Sequence, residues 1–148
     1  ASADRLENIL WLARVVYSET KEPQEMRLVG WVVRNRVETG FRGTTYREVA
    51  TRKKQFSGLN PGDPGAEEIL ALDYADERHR AWTTALAIAE EVYDADSASR
   101  PFPITVRHFY SPHAVRAIPS WTDAGALHLT VEAADGTHSR FAFYDGVR

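Results

Sequence analysis

One carboxylate in this chain stands where a charge is awkward. In "ARVVYSETKEP" (13–23), Ala13, Val15, Val16 and Tyr17 form an apolar helix face that runs directly into Ser18, Glu19 and Thr20, with Pro23 just beyond. If Glu19 ends a buried helix, its carboxyl is partly desolvated, and desolvation disfavours the charged form, raising the pKa by about 2 where burial is substantial. A carboxylic acid still protonated near neutral pH can protonate a glycosidic oxygen. The same position also suits a glutamate in water at a helix end, and position alone favours that plainer alternative.

A second set of residues combines flat rings with hydrogen-bonding groups on loops: Gln55 and Phe56 in "KKQFSGLNPG", His108, Phe109 and Tyr110 in "RHFYSPHA", and Trp121 in "IPSWTD". Sugars present flat C–H faces and many hydroxyls, so their sites pair aromatic platforms with amides and hydroxyls. Taken singly, each of these residues is as readily a loop anchor or core residue. Three loops carrying such groups suggest a cleft.

Other chemistries find little support. His108 and His113 are five apart across Ser-Pro and no H-E-x-x-H is present, so no metal is expected. "GLNPGDPG" lacks the Lys-Ser/Thr of a phosphate loop, and no G-x-S-x-G occurs. There are no cysteines, hence neither disulfides nor a thiolate nucleophile. The net charge of -3, from 18 Lys+Arg against 21 Asp+Glu, argues against a nucleic-acid partner. "TRKK" at 51–54 is a local basic patch that reads as a solvated helix end.

The elements that must position these groups follow from periodicity. Leu6, Ile9, Leu10, Ala13, Val16 and Tyr17 recur at helical spacing, so 4–18 reads as an amphipathic helix with Asp4 as its cap. A second helix begins near Pro23, with Glu22 and Glu25 at its positive end. Its body, "MRLVGWVVRNRV", is apolar on most sides and belongs in the middle of a fold. Gly30 within it implies close packing against a neighbour. The loop "SETKE" is held between two buried helices and should be rigid.

Thr45 with Glu48 forms a capping box for a short helix through about Lys54, "QFSGLNPGDPG" is a loop, and "AEEILAL" is a short helix. A long helix runs from Glu77 to about Ala95. Beyond "SASRPFP", the segments 104–110, 126–133 and 140–144 alternate like strands, the last two joined by an Asp135-Gly136 hairpin. The expectation is one α+β domain over 1–148, helices first and a small antiparallel sheet toward the C-terminus. No apolar run is long enough to span a bilayer. The opening "ASAD" reads either as the remnant of an export signal or as an arbitrary boundary.

In the order "LARVVYSETKEP", "VGWVVRNRV", "QFSGL", "RHFYSP" and "PSW", residues 10–122 resemble the spore-cortex-lytic (SleB-like) family of bacterial cell-wall hydrolases. The resemblance implies a lysozyme-like fold and action on the glycan strands of peptidoglycan, without a cofactor. It places the catalytic acid on Glu19 and a second carboxylate on Glu22. It extends the substrate-binding set to Tyr17, Gln55, Phe56, Ser57, His108, Tyr110 and Trp121, and puts Asn35 and Arg36 on the helix behind the site. Three features depart from the pattern: Thr20-Lys21 replaces Ala-Arg/Lys-Gly, Tyr110-Ser111-Pro112 replaces Tyr-Asn-Pro, and the hairpin from 126 has no counterpart.

The implied reaction is cleavage between N-acetylmuramic acid and N-acetylglucosamine. A hydrolase needs a second carboxylate about 5–9 Å from the first. Glu22 is near in sequence, while Asp63 and Asp123 lie on loops. A lytic transglycosylase needs one, because the muramyl 6-hydroxyl attacks intramolecularly, and this is the favoured expectation. The alternatives are a hydrolytic muramidase and a wall-binding module without activity. The setting implied is the cell envelope, the exterior or a phage particle, and the chain is expected to be a monomer.

Overall fold

A computed structural model describes residues 2–52, 59, 65–76, 79–110, 121–122, 125–132 and 138–147, with backbone alone at 2, 126–132 and 138–140. Among the described residues, five α-helices come first: α1 (Ser2–Glu19), α2 (Pro23–Thr39), α3 (Tyr46–Thr51), α4 (Ala66–Leu70) and α5 (Arg80–Asp94). Strands β1 (Val106–Tyr110), β2 (Ala126–Glu132) and β3 (His138–Asp145) follow. The class is α+β. The strands form one antiparallel sheet in the order β1-β3-β2, so the β2–β3 hairpin is extended by β1 on its far side. Asp135 and Gly136, assigned to the hairpin turn, lie outside the described residues, as do Lys53, Lys54 and Glu77.

Helix α2 is central because its sequence is apolar on most sides, leaving only a narrow polar stripe to water. Met26, Val29, Val32 and Val33 are fully buried, packed with Ile9, Leu12, Val15 and Val16 of α1 and with Trp82 and Val92 of α5. Gly30 lets three helices meet closely: a Cβ there would lie 3.3 Å from Val92 Cγ2 and 3.7 Å from Val16 Cγ1. Trp82 keeps its indole N–H satisfied on the Asp73 carbonyl at 2.8 Å, the condition for burying so large a ring without cost.

Local chemistry sets the helix ends. Asp4 lies inside the first turn of α1, not at its cap, because the helix begins earlier, at Ser2. Glu22 is the cap of α2, its carboxylate oxygens accepting from Gln24 N at 3.1 Å and Glu25 N at 2.8 Å. Thr45 accepts from Glu48 N at 3.0 Å as expected, although Glu48 returns to Thr44 N rather than to Thr45. Helix α3 ends at Thr51, since Arg52 has extended backbone.

The three-residue link from α1 to α2 is fixed by one hydroxyl. Thr20 Oγ1 donates to the buried Glu25 carboxylate at 2.7 Å and accepts from Glu22 N at 3.1 Å, while Thr20 N bonds the Val16 carbonyl. At its other end α2 closes in a left-handed Gly40 (φ 67°). Gly40 N bonds the Val37 carbonyl and Phe41 N the Arg36 carbonyl at 2.8 Å, a Schellman motif that folds Phe41 back toward Arg36. Side chains of α2 also hold the sheet. Asn35 Nδ2 donates to the Pro103 and Val106 carbonyls at 3.2 and 2.9 Å, and Arg36 Nε to the Arg107 carbonyl at 2.8 Å.

Candidate functional site

Glu19 is the last residue of α1 and is half-buried. Its charge reaches the guanidinium of Arg36 on α2, where it is the acidic group that favours the cation. Tyr17, two residues earlier, points elsewhere, because two positions on a helix differ by about 200°. Its ring meets Trp82 edge-on at 5.6 Å and carries Lys21 Nζ at 3.5 Å. It lines a separate cavity of about 200 Å³ with Lys21, Gly65, Glu68, Ile69 and Leu72.

Arg36 is only 4% exposed, and burial foremost, with repulsion from Arg42 and Arg107, pushes its pKa down to about 10. The three guanidinium groups gather around one ring. Their central carbons lie 5.7 Å (Arg36), 5.0 Å (Arg42) and 4.5 Å (Arg107) from the centroid of Phe41. Two backbone irregularities make this convergence. Arg42 has φ 61°, a left-handed conformation rare outside glycine, and it precedes Gly43 at φ 145°. On β1 the register slips between Val106 and His108, a bulge at Arg107. In a regular strand Arg107 and His108 would face opposite sides. Here both come against Phe41, the His108 ring at 5.2 Å.

His108 is 6% exposed, beneath the surface rather than on it. Burial first, and then the fields of Arg36, Arg42 and Arg107, lower its pKa to about 4, so it is neutral at neutral pH. From it runs a row of rings. Trp121 packs on His108 at 5.0 Å, and Tyr110 and Tyr144 meet Trp121 edge-on at 5.7 and 5.4 Å. Tyr110 and Tyr144 stack on each other at 5.9 Å. Strand pairing accounts for this, since His108 and Tyr110 alternate on β1 and Tyr144 pairs with His108 across to β3. Tyr110, Trp121 and Tyr144 are half-buried and so keep ring surface exposed. Desolvation, then a hydrogen bond with Tyr110, holds the Tyr144 hydroxyl above its ordinary pKa.

Of the residues singled out in the sequence, Glu19, His108, Tyr110 and Trp121 thus belong to one connected neighbourhood through Arg36. Glu22 is occupied as a helix cap. Gln55, Phe56, Ser57, Asp63, His113 and Asp123 lie outside the described residues. The structure adds Phe41, Arg42, Arg107 and Tyr144, and it buries Glu25 at 4% exposure one hydrogen bond from the residue after Glu19. "TGFRGTT" carried a faint sign of the first two, an aromatic and a cation set between glycines. Among the described residues no group of three metal-ligating side chains converges, and no helix is long and apolar enough to cross a membrane. Comparison with protein-family models, characterised proteins and solved structures found no significant match.

Proposed function

We propose that this chain cleaves the glycan strands of peptidoglycan between N-acetylmuramic acid and N-acetylglucosamine, as a lytic transglycosylase with Glu19 as its single acid and base. The observation that carries this reading is the neighbourhood of Glu19. A half-buried carboxylate at the end of a core helix lies within the field of Arg36, and a row of half-exposed rings, Tyr110, Trp121 and Tyr144, adjoins that same cationic pocket through His108. Rings of this kind suit sugar faces, with hydroxyls at their edges for sugar oxygens.

In the proposed reaction the Glu19 carboxyl donates its proton to the glycosidic oxygen as positive charge develops at the muramyl C1. The resulting carboxylate then takes the proton of the muramyl 6-hydroxyl, which closes on C1 to form a 1,6-anhydro ring. Attack from within the same sugar raises the effective concentration of nucleophile by many powers of ten. Arg36 helps the second half of this cycle, since a nearby cation steadies the ionised carboxylate. With both oxygens of Glu22 engaged by Gln24 N and Glu25 N, that residue is poorly placed to act as a separate nucleophile. This favours the mechanism that needs one carboxylate over hydrolysis.

Mass analysis of fragments from purified peptidoglycan is the test. The expected products carry 1,6-anhydro ends; reducing ends would make the enzyme a muramidase. Glu19→Gln is expected to slow release by about 10²–10⁴-fold, the usual contribution of a general acid. Digestion by Glu19→Gln at the parent rate would overturn the assignment, and retention on cell walls without any fragments would leave a binding module.

A further inference from the structure

Among the described residues, the cationic cluster around Phe41 holds more positive charge and more hydrogen-bond donors than its neighbours use. Three guanidinium groups face it, and Glu19 is the acidic group whose field reaches them at Arg36. Among the described residues, neither Arg42 nor Arg107 has a carboxylate at ion-pair distance. Arg107 spends its terminal nitrogens on the Thr39 hydroxyl at 3.5 Å and the Val147 carbonyl at 3.2 Å. Three buried nitrogens have no partner among the described residues: Arg42 Nε, Arg107 Nε and His108 Nδ1. Groups of this kind are ordinarily satisfied, because leaving them dry and unpaired is destabilising.

The backbone is irregular at two of the contributors, Arg42 and Arg107. Arg42 is left-handed, Gly40 and Gly43 are at positive φ, and β1 is bulged at Arg107. A non-glycine residue held in the left-handed region, as Arg42 is, is a conformation that clusters at ligand-binding and active sites. Guanidinium forks match the two oxygens of a carboxylate, and three of them lie within 5.7 Å of the Phe41 ring centroid.

We propose that Arg42, Arg107 and the His108 Nδ1 edge form an oxyanion site that takes a free carboxylate of the peptide stem borne by the muramyl residue. The assignment to the stem rests on the glycan-cleaving role proposed for Glu19; the anion site rests on the pocket alone. In peptidoglycan the stem hangs from the muramyl lactyl ether, and its glutamyl residue carries a carboxylate. A muramyl sugar whose glycosidic oxygen is protonated by Glu19 carries such a group into the neighbourhood that Glu19 shares with Arg36.

Calorimetric titration tests the site. The probes are N-acetylmuramyl-L-alanyl-D-glutamate, the same compound with both glutamyl carboxyls amidated, and inorganic phosphate. The parent protein is expected to bind the acid form at least about tenfold more tightly than the amide, with phosphate competing. Arg42→Asn, chosen because asparagine tolerates the left-handed backbone, and Arg107→Gln should each weaken that binding by about tenfold or more, as loss of a charge-assisted hydrogen bond does. Arg42→Lys should lose less. Melting curves and circular dichroism matching the parent establish that each variant is folded.

Equal binding of the acid and the amide, or parent-like affinity in the folded arginine variants, would overturn the proposal. Tight phosphate binding with neither muramyl compound bound would overturn the stem assignment and leave a site for free oxyanions. Glu19→Gln separates the two readings, because it should bind the acid form at least as tightly as the parent. If Glu19→Gln digests peptidoglycan at the parent rate, the catalytic reading falls while the anion result stands. If it is inactive and the acid preference is absent, the site alone falls.

Discussion

His108 shows how one side chain inherits its properties from three others. Its strand position is ordinary, yet burial and the fields of Arg36, Arg42 and Arg107 bring its pKa from 6.5 to about 4. The unfolded chain therefore binds a proton near pH 6.5 that the folded chain refuses until about pH 4. Stability rises with pH wherever the unfolded state binds more protons, so this contribution is complete above pH 6.5 and is lost as the pH falls toward 4. The full loss is about 3 kcal/mol, at 1.36 kcal/mol for each pH unit. His108→Phe, which keeps a ring between Phe41 and Trp121, should remove this slope. Urea unfolding midpoints of parent and variant should converge differently at pH 7 and pH 4.5, and an unchanged difference between the two would show that the histidine is not held neutral by its surroundings.

At the scale of elements, α2 does most of the positioning. Glu22 caps its start, Gly40 turns its end, and Asn35 and Arg36 grip β1. The close approach at Gly30 makes this possible. Gly30→Ala gains about 1 kcal/mol of helix propensity against a tight 3.3 Å contact with Val92, so the two effects nearly offset. Gly30→Leu has no such room and should cost about 1–3 kcal/mol through displacement of α5. Chemical denaturation measures it, and parent-like stability of the leucine variant would mean that the three helices do not meet as described. Most of this layer was legible in advance. The helical period over 4–18, the all-round apolar body of α2 and the alternation of the last segments each impose a structure that local sequence already encodes. Element ends were less so: Asp4 looked like a cap, while the chain entered its helix earlier.

For the molecule as a whole, the decisive contact joins the helical part to the sheet. Asn35 is fully buried, donates to Pro103 and Val106 carbonyls and accepts from Arg100. Asn35→Leu would leave the buried Val106 carbonyl unpaired, at about 1–3 kcal/mol, and remove the bonds to Pro103 and Arg100 besides. A drop in stability of at least about 2 kcal/mol is expected, with sheet and helices still unfolding together. Coincident transitions by far-ultraviolet dichroism and tryptophan fluorescence check this. Separate transitions in the parent would mean that the sheet is not held by α2.

Glu19, His108, Tyr110 and Trp121 could be picked out in the sequence because their chemistry is carried by residue type: an acid on an apolar helix, rings in loops. The helices and strands could be placed because periodicity is local. Neither source of information reaches the pocket around Phe41. Its arginines come from a turn, a helix and a strand that are far apart in the chain. Arg107 reads as one more residue in an alternating strand, and the bulge that turns it toward Phe41 beside His108 leaves no mark in composition. The left-handed backbone of Arg42 is likewise invisible in "TGFRGTT". Residue types and their periods were determined by the sequence itself. Which charges stand together was decided only when distant segments packed around one ring.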